Sequence, residues 1–237
     1  MTPDAAVAAS GWQRLRAGFP RPQSFRSWTI DANDGIIGTS GILEGFAGAG
    51  ASHSVLVTAA SAATIAGAVG LGGATWAEAA AEREAQIELA EEELAEIAAD
   101  PAAELAELAG FYERKGLSPA LAREVAEQLT AHDALAAQLE SEHGIDELMS
   151  PVEPVVEGVS AALAFALGAA VPLAITLVVS TAVESWAILV AAVASLSLTS
   201  LVASGAGDLS VRRTLVRTLV VGVGTLGVSY LAGRVLF

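Results

Sequence analysis

The sequence contains no cysteine. This absence excludes a disulfide framework, a thiolate zinc site and an iron–sulfur cluster. Charged residues are scarce as well: they make up 16% of the 237 residues, whereas a soluble domain carries about 25%. The remainder is strongly apolar, with 53% hydrophobic residues and a mean hydropathy of +0.55. This balance is unusual for a soluble domain and indicates a membrane protein.

Basic residues and histidines are also few. The chain has 12 Lys and Arg and 27 Asp and Glu, which gives a net charge of −15. This charge argues against nucleic acid as a partner, because phosphate binding needs a basic surface. The three histidines are not accompanied by a convincing nucleophile–base pair, so the sequence predicts neither an enzyme nor an organic cofactor.

Long apolar runs dominate what is present. Five stretches each reach the ~20 residues needed to cross about 30 Å of hydrocarbon. Each should be a helix, because backbone groups cannot be left unpaired in lipid. We therefore predict an all-α membrane protein with five transmembrane helices after a polar tail at residues 1–27. The stretches run roughly from Trp28 to Ala51, Ser54 to Glu78, Glu153 to Val179, Val183 to Ser204 and Val211 to Phe237.

The distribution of basic residues predicts the orientation in the bilayer. Eleven of the 12 fall in the N-terminal tail, between the second and third stretches, or near the connection at residues 205–213. Arg234 falls on the other side. By the positive-inside rule, the N-terminus and these connections lie in the cytoplasm and the C-terminus lies outside. The expected location is a bacterial inner (plasma) membrane.

Carboxylates are concentrated in the segment between the second and third stretches. From Glu78 to Glu153 there are 20 Asp or Glu and four Lys or Arg. Good helix formers fill the beginning of this segment, so its first helix should continue the second span without a break. Asp100-Pro101 should end that helix and begin another, and Ser118-Pro119 should begin a third that ends before Gly144.

These signals predict a three-helix cytoplasmic metal-binding domain at residues 79–150. It is inserted between transmembrane residues 28–78, which hold spans one and two, and 151–237, which hold spans three to five. Apolar positions available for a small core are Leu105, Leu108, Leu121, Val125, Leu129 and Leu135.

Three carboxylates of the first cytoplasmic helix share one face. Glu82, Glu93 and Glu96 are separated by 11 and 3 residues, which at ~100° per residue places them on one stripe. Oxygen-rich clusters bind Fe²⁺, Mn²⁺, Ca²⁺ or Mg²⁺. The alternative is a solvated, Glu-rich helix surface that keeps the domain soluble.

Two carboxylates lie in the first apolar stretch. An ionisable group at membrane depth costs ~2.5 kcal/mol or more, so Asp34 is a candidate functional residue. The alternative is that Asp34 caps a helix that begins at Gly35. Glu44 lies ten residues further on, close to the same face and ~15 Å deeper, as a possible second ion or proton site. The alternative is that Glu44 lies near the far membrane–water interface.

One Glu-x-x-His unit, Glu140 to His143, has the spacing found in di-iron bundles. Such bundles need two of these units and two further glutamates on four helices, and the predicted domain has three helices. We therefore do not favour a ferroxidase.

Several strings of residues resemble a known family. They are Ala32-Asn33-Asp34-Gly35-Ile36, Ala66-Gly67-Ala68, Glu104-Leu-Ala-Glu107, Pro119-Ala-Leu-Ala-Arg123-Glu124, Ala131-His132-Asp133-Ala134-Leu135, and Phe165-Ala-Leu-Gly168 with Pro172. On these strings, the chain from Trp28 to Phe237 resembles the vacuolar iron transporter family, which includes plant nodulin-like proteins, and especially its bacterial branch.

The resemblance implies a homodimer that exports Fe²⁺, and often Mn²⁺, from the cytosol in exchange for protons. By position, Asp34 resembles the pore carboxylate, and Glu82, Glu93 and Glu96 resemble the helical metal ligands. Glu142 matches the ligand contributed by the third cytoplasmic helix.

The chain departs from the family pattern at four places. Leu71 replaces a pore methionine, and Thr75 replaces a glutamate, although Glu78 follows one turn later as a possible pore or proton site. Gln138 and Leu139 replace paired methionines, and Glu44 stands where the family is apolar. Because sulfur ligands are lost and a carboxylate is gained, Mn²⁺ is a candidate substrate beside Fe²⁺. The alternative function is a membrane-anchored metal buffer or sensor that binds metal without transporting it.

Overall fold

The structure is a computed structural model that describes residues 22–179, 184–205 and 210–236. Within these ranges the chain forms α-helices, one π-helical turn and no strand. The helices are α1 Pro22–Gly48, α2 His53–Ala99, α3 Pro101–Arg114, α4 Pro119–Gln138, the π-turn Leu139–His143, α5 Glu153–Val178, α6 Glu184–Gly205 and α7 Val211–Leu236. Residues 1–21 of the predicted tail at residues 1–27, and the turn at 180–183, lie outside the described residues. The rest of the predicted tail, residues 22–27, is not a separate tail, because it forms the first turns of α1.

Four of the described helices are long and apolar enough to cross a membrane: α2, α5, α6 and α7. Large apolar side chains such as Val69, Leu167, Val190 and Val220 are exposed on them, as expected of surfaces that face lipid. Helix α1 is not among the four, because Asp31, Asp34 and Glu44 make its 27 residues more polar. A fifth span therefore stays a prediction.

The described chain forms two compact units. One contains the described residues of the ranges Met1–Ala74 and Gly158–Phe237, and the other contains Thr75–Glu157. Helix α2 runs through 47 residues without interruption, as its Ala-, Glu- and Leu-rich second half predicted. Its apolar first half is the candidate span, and its second half carries the acidic residues.

Helix α1 forms close helix–helix contacts in the apolar unit. A Cβ atom on Gly35 would collide with the backbone carbonyl of Phe165, and one on Gly168 would collide with the carbonyl of Ala32. On another side of α1, Gly48 and Gly233 allow an equally close approach to α7. Small residues let helix backbones approach in this way within a membrane, so α1 packs directly against both α5 and α7.

Buried apolar side chains fill the space between these helices. Ile36 of α1 packs with Ala192 and Leu196 of α6 and with Leu226 of α7. Polar contacts join the same helices, because the Thr199 hydroxyl donates a hydrogen bond to Asn33 Oδ1 over 2.5 Å. Helix α1 is therefore held on several sides, although it is not among the four strongly apolar helices.

The acidic unit is built on short reversals that the sequence predicted. Asp100 caps α3 by accepting a hydrogen bond from the Ala103 N–H over 3.1 Å, and Pro101 occupies its first turn. Gly116 follows the end of α3 with φ +104°, a conformation that glycine adopts without a Cβ clash. Ser118 stands at the start of α4, but its side chain makes no capping hydrogen bond.

The core of this unit differs in part from the prediction. Leu108 is buried with Ala109, Ala126 and Ala137, and Leu105, Tyr112 and Leu129 pack against them. Leu121 was expected in the core, but 49% of it is exposed. Small alanines let α3 and α4 approach closely, which leaves Leu121 on the outer face of α4.

Helix α4 changes direction at Asp133, whose φ of −159° and ψ of 97° are not helical. The Asp133 carboxylate accepts a hydrogen bond from the Ala136 N–H over 3.0 Å, so this residue caps a new helical segment. That segment ends in the π-turn and at Gly144, which has φ +67°.

Candidate metal site

Six ligand-type side chains of the acidic unit come together in three overlapping groups. The groups are Glu93–Glu142–His143, Glu93–Glu96–Glu104 and Glu104–Glu107–Glu142, and the ligand atoms within each group lie within 4.8 Å of one another. Ligands on one small divalent ion, bound at about 2.0–2.2 Å, are separated by roughly 3–4.4 Å. The spacing therefore needs only small side-chain movements to hold an ion.

Two helices supply two ligands each, at the same spacing. Glu93 and Glu96 are three residues apart near the end of α2, and Glu104 and Glu107 are three apart at the start of α3. Residues three apart lie on one helix face. Because the capped reversal at Asp100 follows directly on α2, the two Glu-x-x-Glu faces meet across the turn.

The third contribution comes from the segment after the bend in α4. Gln138 is 2% exposed, and its side-chain amide donates to the Glu104 carboxylate over 2.7 Å and to the Glu104 carbonyl over 2.9 Å. These two hydrogen bonds hold the segment against α3 and position the Glu104 carboxylate. Glu142 and His143 follow within the next helical turn.

Glu93 is the most buried carboxylate of the site. It is 2% exposed, and its Oε1 atom has no hydrogen-bond partner among the described residues. Burial, then repulsion by Glu142, Glu104 and Glu96, and a hydrogen bond with Glu104 raise the pKa of Glu93 to about 7. An unpaired buried oxygen among like charges is unfavourable, and a cation bound there would relieve both costs.

The pKa of Glu142 is raised for similar reasons. Desolvation is the largest cause, followed by the negative charges of Glu107 and Glu104, while His143 opposes the shift. Glu142 also lines a cavity of about 290 Å³ together with Glu107, Phe111, Arg114 and Ser141. The site is thus buried at Glu93 and open on the Glu107 and Glu142 side, which gives an ion a route of entry.

The structure brings together three of the predicted cytoplasmic ligands and leaves one apart. Glu93, Glu96 and Glu142 belong to the groups, whereas Glu82 does not. The Glu82 carboxylate instead accepts a hydrogen bond from Gln86 over 3.0 Å, and Gln86 in turn accepts from the Met149 N–H over 2.9 Å. Glu82 therefore supports the end of the acidic unit through Gln86.

The candidate membrane carboxylates differ in exposure. Asp34 is exposed and lies within α1, which begins at Pro22, so the alternative that it caps a helix starting at Gly35 is wrong. Glu44 is 5% exposed. Glu44 was predicted close to the same face as Asp34, but it lies about 80° from Asp34 around the helix and is buried where Asp34 is exposed. Glu78 is exposed in α2.

Sequence reasoning missed Glu104, Glu107 and His143 as candidate ligands. Glu104 and Glu107 repeat the three-residue spacing of Glu93 and Glu96 on the next helix, and this repeat was a usable signal. His143 was considered only in a pair with Glu140, which belongs to none of the groups among the described residues. Its place beside Glu93 depends on the π-turn, which local sequence does not predict.

Comparisons with known proteins agree with the resemblance. The sequence profile of the VIT family matches residues 25–234. A curated protein of Acanthamoeba castellanii, named "Vacuolar iron transporter", is 31% identical over 169 residues, which cover 71% of this chain and 57% of that protein. The chain therefore matches little more than half the length of this relative, whose name describes a transporter and not an enzyme.

Proposed function

Because the chain belongs to the VIT family and is an integral membrane protein with four strongly apolar helices, we propose that it transports divalent metal ions out of the cytosol. The substrates are Fe²⁺ and Mn²⁺, exchanged for protons. The observation that carries the proposal is the cluster of five carboxylates and one imidazole, in which Glu93 has a buried oxygen without a hydrogen-bond partner among the described residues. Oxygen ligands of this kind suit Fe²⁺ and Mn²⁺.

In this proposal, metal is first collected by the acidic unit and then enters the membrane part. Glu93, Glu96, Glu104, Glu107 and Glu142 form the loading site. Its open side admits the ion, and relief of repulsion at Glu93 favours binding. Asp34 is the carboxylate that receives the ion within the bilayer, with Glu44 and Glu78 as further ion or proton positions.

The exposed side chain of Asp34 supports assembly as a homodimer. Gly38, Ile42 and Phe46 follow Asp34 at intervals of four residues and are also exposed, so they form a stripe of exposed positions that turns by about 40° around α1 at each step. A carboxylate that faces lipid is costly, whereas one that faces a second copy of the chain lines a protein-enclosed path. We place the transport path at this stripe.

The proposed topology has five spans, with α1 as the first. Residues 28–78 and 151–237 lie in the membrane, and residues 79–150 form the cytoplasmic domain. The basic residues support a cytoplasmic N-terminus and acidic domain and an external C-terminus. The membrane is proposed to be a bacterial inner membrane.

Metal flux into proteoliposomes tests the proposal. The purified chain is reconstituted, and entry of Fe²⁺, Mn²⁺, Zn²⁺ and Ca²⁺ is followed with the appropriate lumenal dyes. We expect Fe²⁺ and Mn²⁺ to enter faster than into protein-free liposomes and Ca²⁺ to enter more slowly than either. Absence of flux with every metal, in protein that is folded by circular dichroism, would refute transport.

A second function, a metal buffer or sensor, is favoured by Leu71. This residue is partly buried in α2, and its apolar side chain cannot ligate a metal where members of the family have methionine. Flux by the unsubstituted protein, compared with the variant Asp34→Asn, separates the two functions. A transporter would lose flux and keep metal binding at the loading site, whereas a buffer would bind metal and show no flux even before substitution.

A further inference from the structure

His143 is a side chain of the loading site that the family resemblance does not assign. It is the last residue of the π-turn, directly before Gly144. One of its ring nitrogens lies within 4.8 Å of carboxylate oxygens of both Glu93 and Glu142. The other described histidines, His53 and His132, belong to no such group.

The turn geometry explains why two consecutive residues reach the same cluster. Five residues, Leu139 to His143, form a π-helical turn, and Gly144 then reverses the chain in the left-handed conformation. The wider π-turn places neighbouring side chains at a smaller angle than an α-helix does. Glu142 and His143 therefore both point toward Glu93, which is 98% buried and has an unpartnered oxygen.

The imidazole is spaced for a shared ion rather than for direct pairing. Within the described ranges, His143 makes no hydrogen bond or ion pair with either carboxylate. Two ligands on opposite sides of one ion lie about 4.2 Å apart when each is ~2.1 Å from the metal. The three ligand atoms lie within 4.8 Å of one another, so small side-chain movements bring all three to coordination distance from one ion.

We propose that His143 is a metal ligand and that it makes the loading site a mixed carboxylate–imidazole site. This inference rests on the proposed loading function. Gln138 and Leu139 supply no sulfur, so the ring nitrogen is the single donor other than oxygen in the described groups. Imidazole suits Zn²⁺, Fe²⁺ and Cu²⁺, whereas carboxylate alone suits Mn²⁺, Mg²⁺ and Ca²⁺. His143 therefore gives the site its preference for borderline cations over Mn²⁺.

Metal titrations of the full-length protein in detergent test this role. Zn²⁺ and Mn²⁺ affinities are measured for the unsubstituted protein, for His143→Leu and for the control His132→Leu, which removes an exposed histidine of α4 outside the groups. We expect His143→Leu to weaken Zn²⁺ binding by at least ~10-fold, in the range that follows loss of metal-site interactions, and to weaken Mn²⁺ binding less. The control should bind both metals unchanged.

Pulsed EPR of bound Mn²⁺ gives a readout that a structural role would not change. A ligating imidazole should produce ¹⁴N modulation that disappears in His143→Leu and in His143→Gln, the second variant guarding against misfolding of the turn. Metal binding without ¹⁴N modulation, together with equal Zn²⁺ affinities, would overturn the role of His143 and leave the carboxylate loading site standing. Failure of the unsubstituted protein to bind either metal would overturn both.

Discussion

Ionisation of Glu93 should destabilise the metal-free acidic unit, and Glu93→Gln should remove this effect. The pKa of Glu93 is raised from 4.5 to about 7, so the folded state holds the proton more tightly than the unfolded state does. The contribution of Glu93 to the free energy of unfolding is greatest below pH 4.5 and falls as the pH rises toward 7. Above pH 7 it stays constant. At about 1.36 kcal/mol per pKa unit, the loss is at most about 3 kcal/mol.

Hydrogen exchange measured by mass spectrometry on the full-length, metal-free protein provides the assay. Peptides from residues 80–148 are followed between pH 5 and pH 8, with intrinsic exchange rates corrected for pH. The unsubstituted unit should lose protection across this interval, whereas Glu93→Gln should lose much less. The matched control is Glu92→Gln, which removes an exposed carboxylate of the same helix and should behave like the unsubstituted protein.

Saturating metal should restore the lost protection at pH 8, since a ligand at 100 times its Kd stabilises the folded state by about 2.7 kcal/mol. Glu93→Gln should gain less, because it lacks the charge that the ion pairs with. Protection that stays constant or rises from pH 5 to pH 8 in the unsubstituted protein would refute the electrostatic account of Glu93. So would an identical pH dependence in Glu93→Gln.

Three further substitutions test other parts of the structure. Gln138→Leu should destabilise the acidic unit by about 1–3 kcal/mol, because Glu104 loses a buried hydrogen-bond donor; chemical denaturation measures this, and an unchanged midpoint would contradict it. Gly168→Ala should lower the thermal unfolding temperature in detergent, because the added Cβ would collide with the backbone of α1. In the control Gly224→Ala the added Cβ meets no neighbour within 4 Å, so the unfolding temperature should stay unchanged or rise. Arg114→Ala removes a cation from the cavity beside the proposed metal site and should not weaken metal binding in titrations. A weaker affinity would show that the guanidinium helps to order the proposed site.

Helix boundaries in the acidic unit were predictable because local chemistry determines them. Asp100 accepts a backbone N–H at the start of α3, and Gly116 and Gly144 adopt left-handed conformations at helix ends. These signals act within a few residues. The apolar lengths of α5, α6 and α7 were predictable for a similarly simple reason, since they match the thickness of a bilayer.

The composition of the site was only partly predictable. Helical periodicity placed Glu82 on the stripe of Glu93 and Glu96, but periodicity does not reveal where the partner helices end. The hydrogen bond between Gln138 and Glu104 joins residues 34 apart in sequence. This long-range bond holds the segment that delivers Glu142 and His143 against α3, and no local pattern contains it.

The proposed function depends on the exchange of cytosolic metal for protons. It is tested most directly by the initial rate of Fe²⁺ entry into proteoliposomes whose acidic units face outward, with an acidic lumen compared with a lumen at external pH. We predict faster entry with the acidic lumen, together with a rise in lumenal pH as the metal enters. An entry rate equal to that of protein-free liposomes under both conditions would contradict transport, and a rate independent of the proton gradient would contradict the exchange.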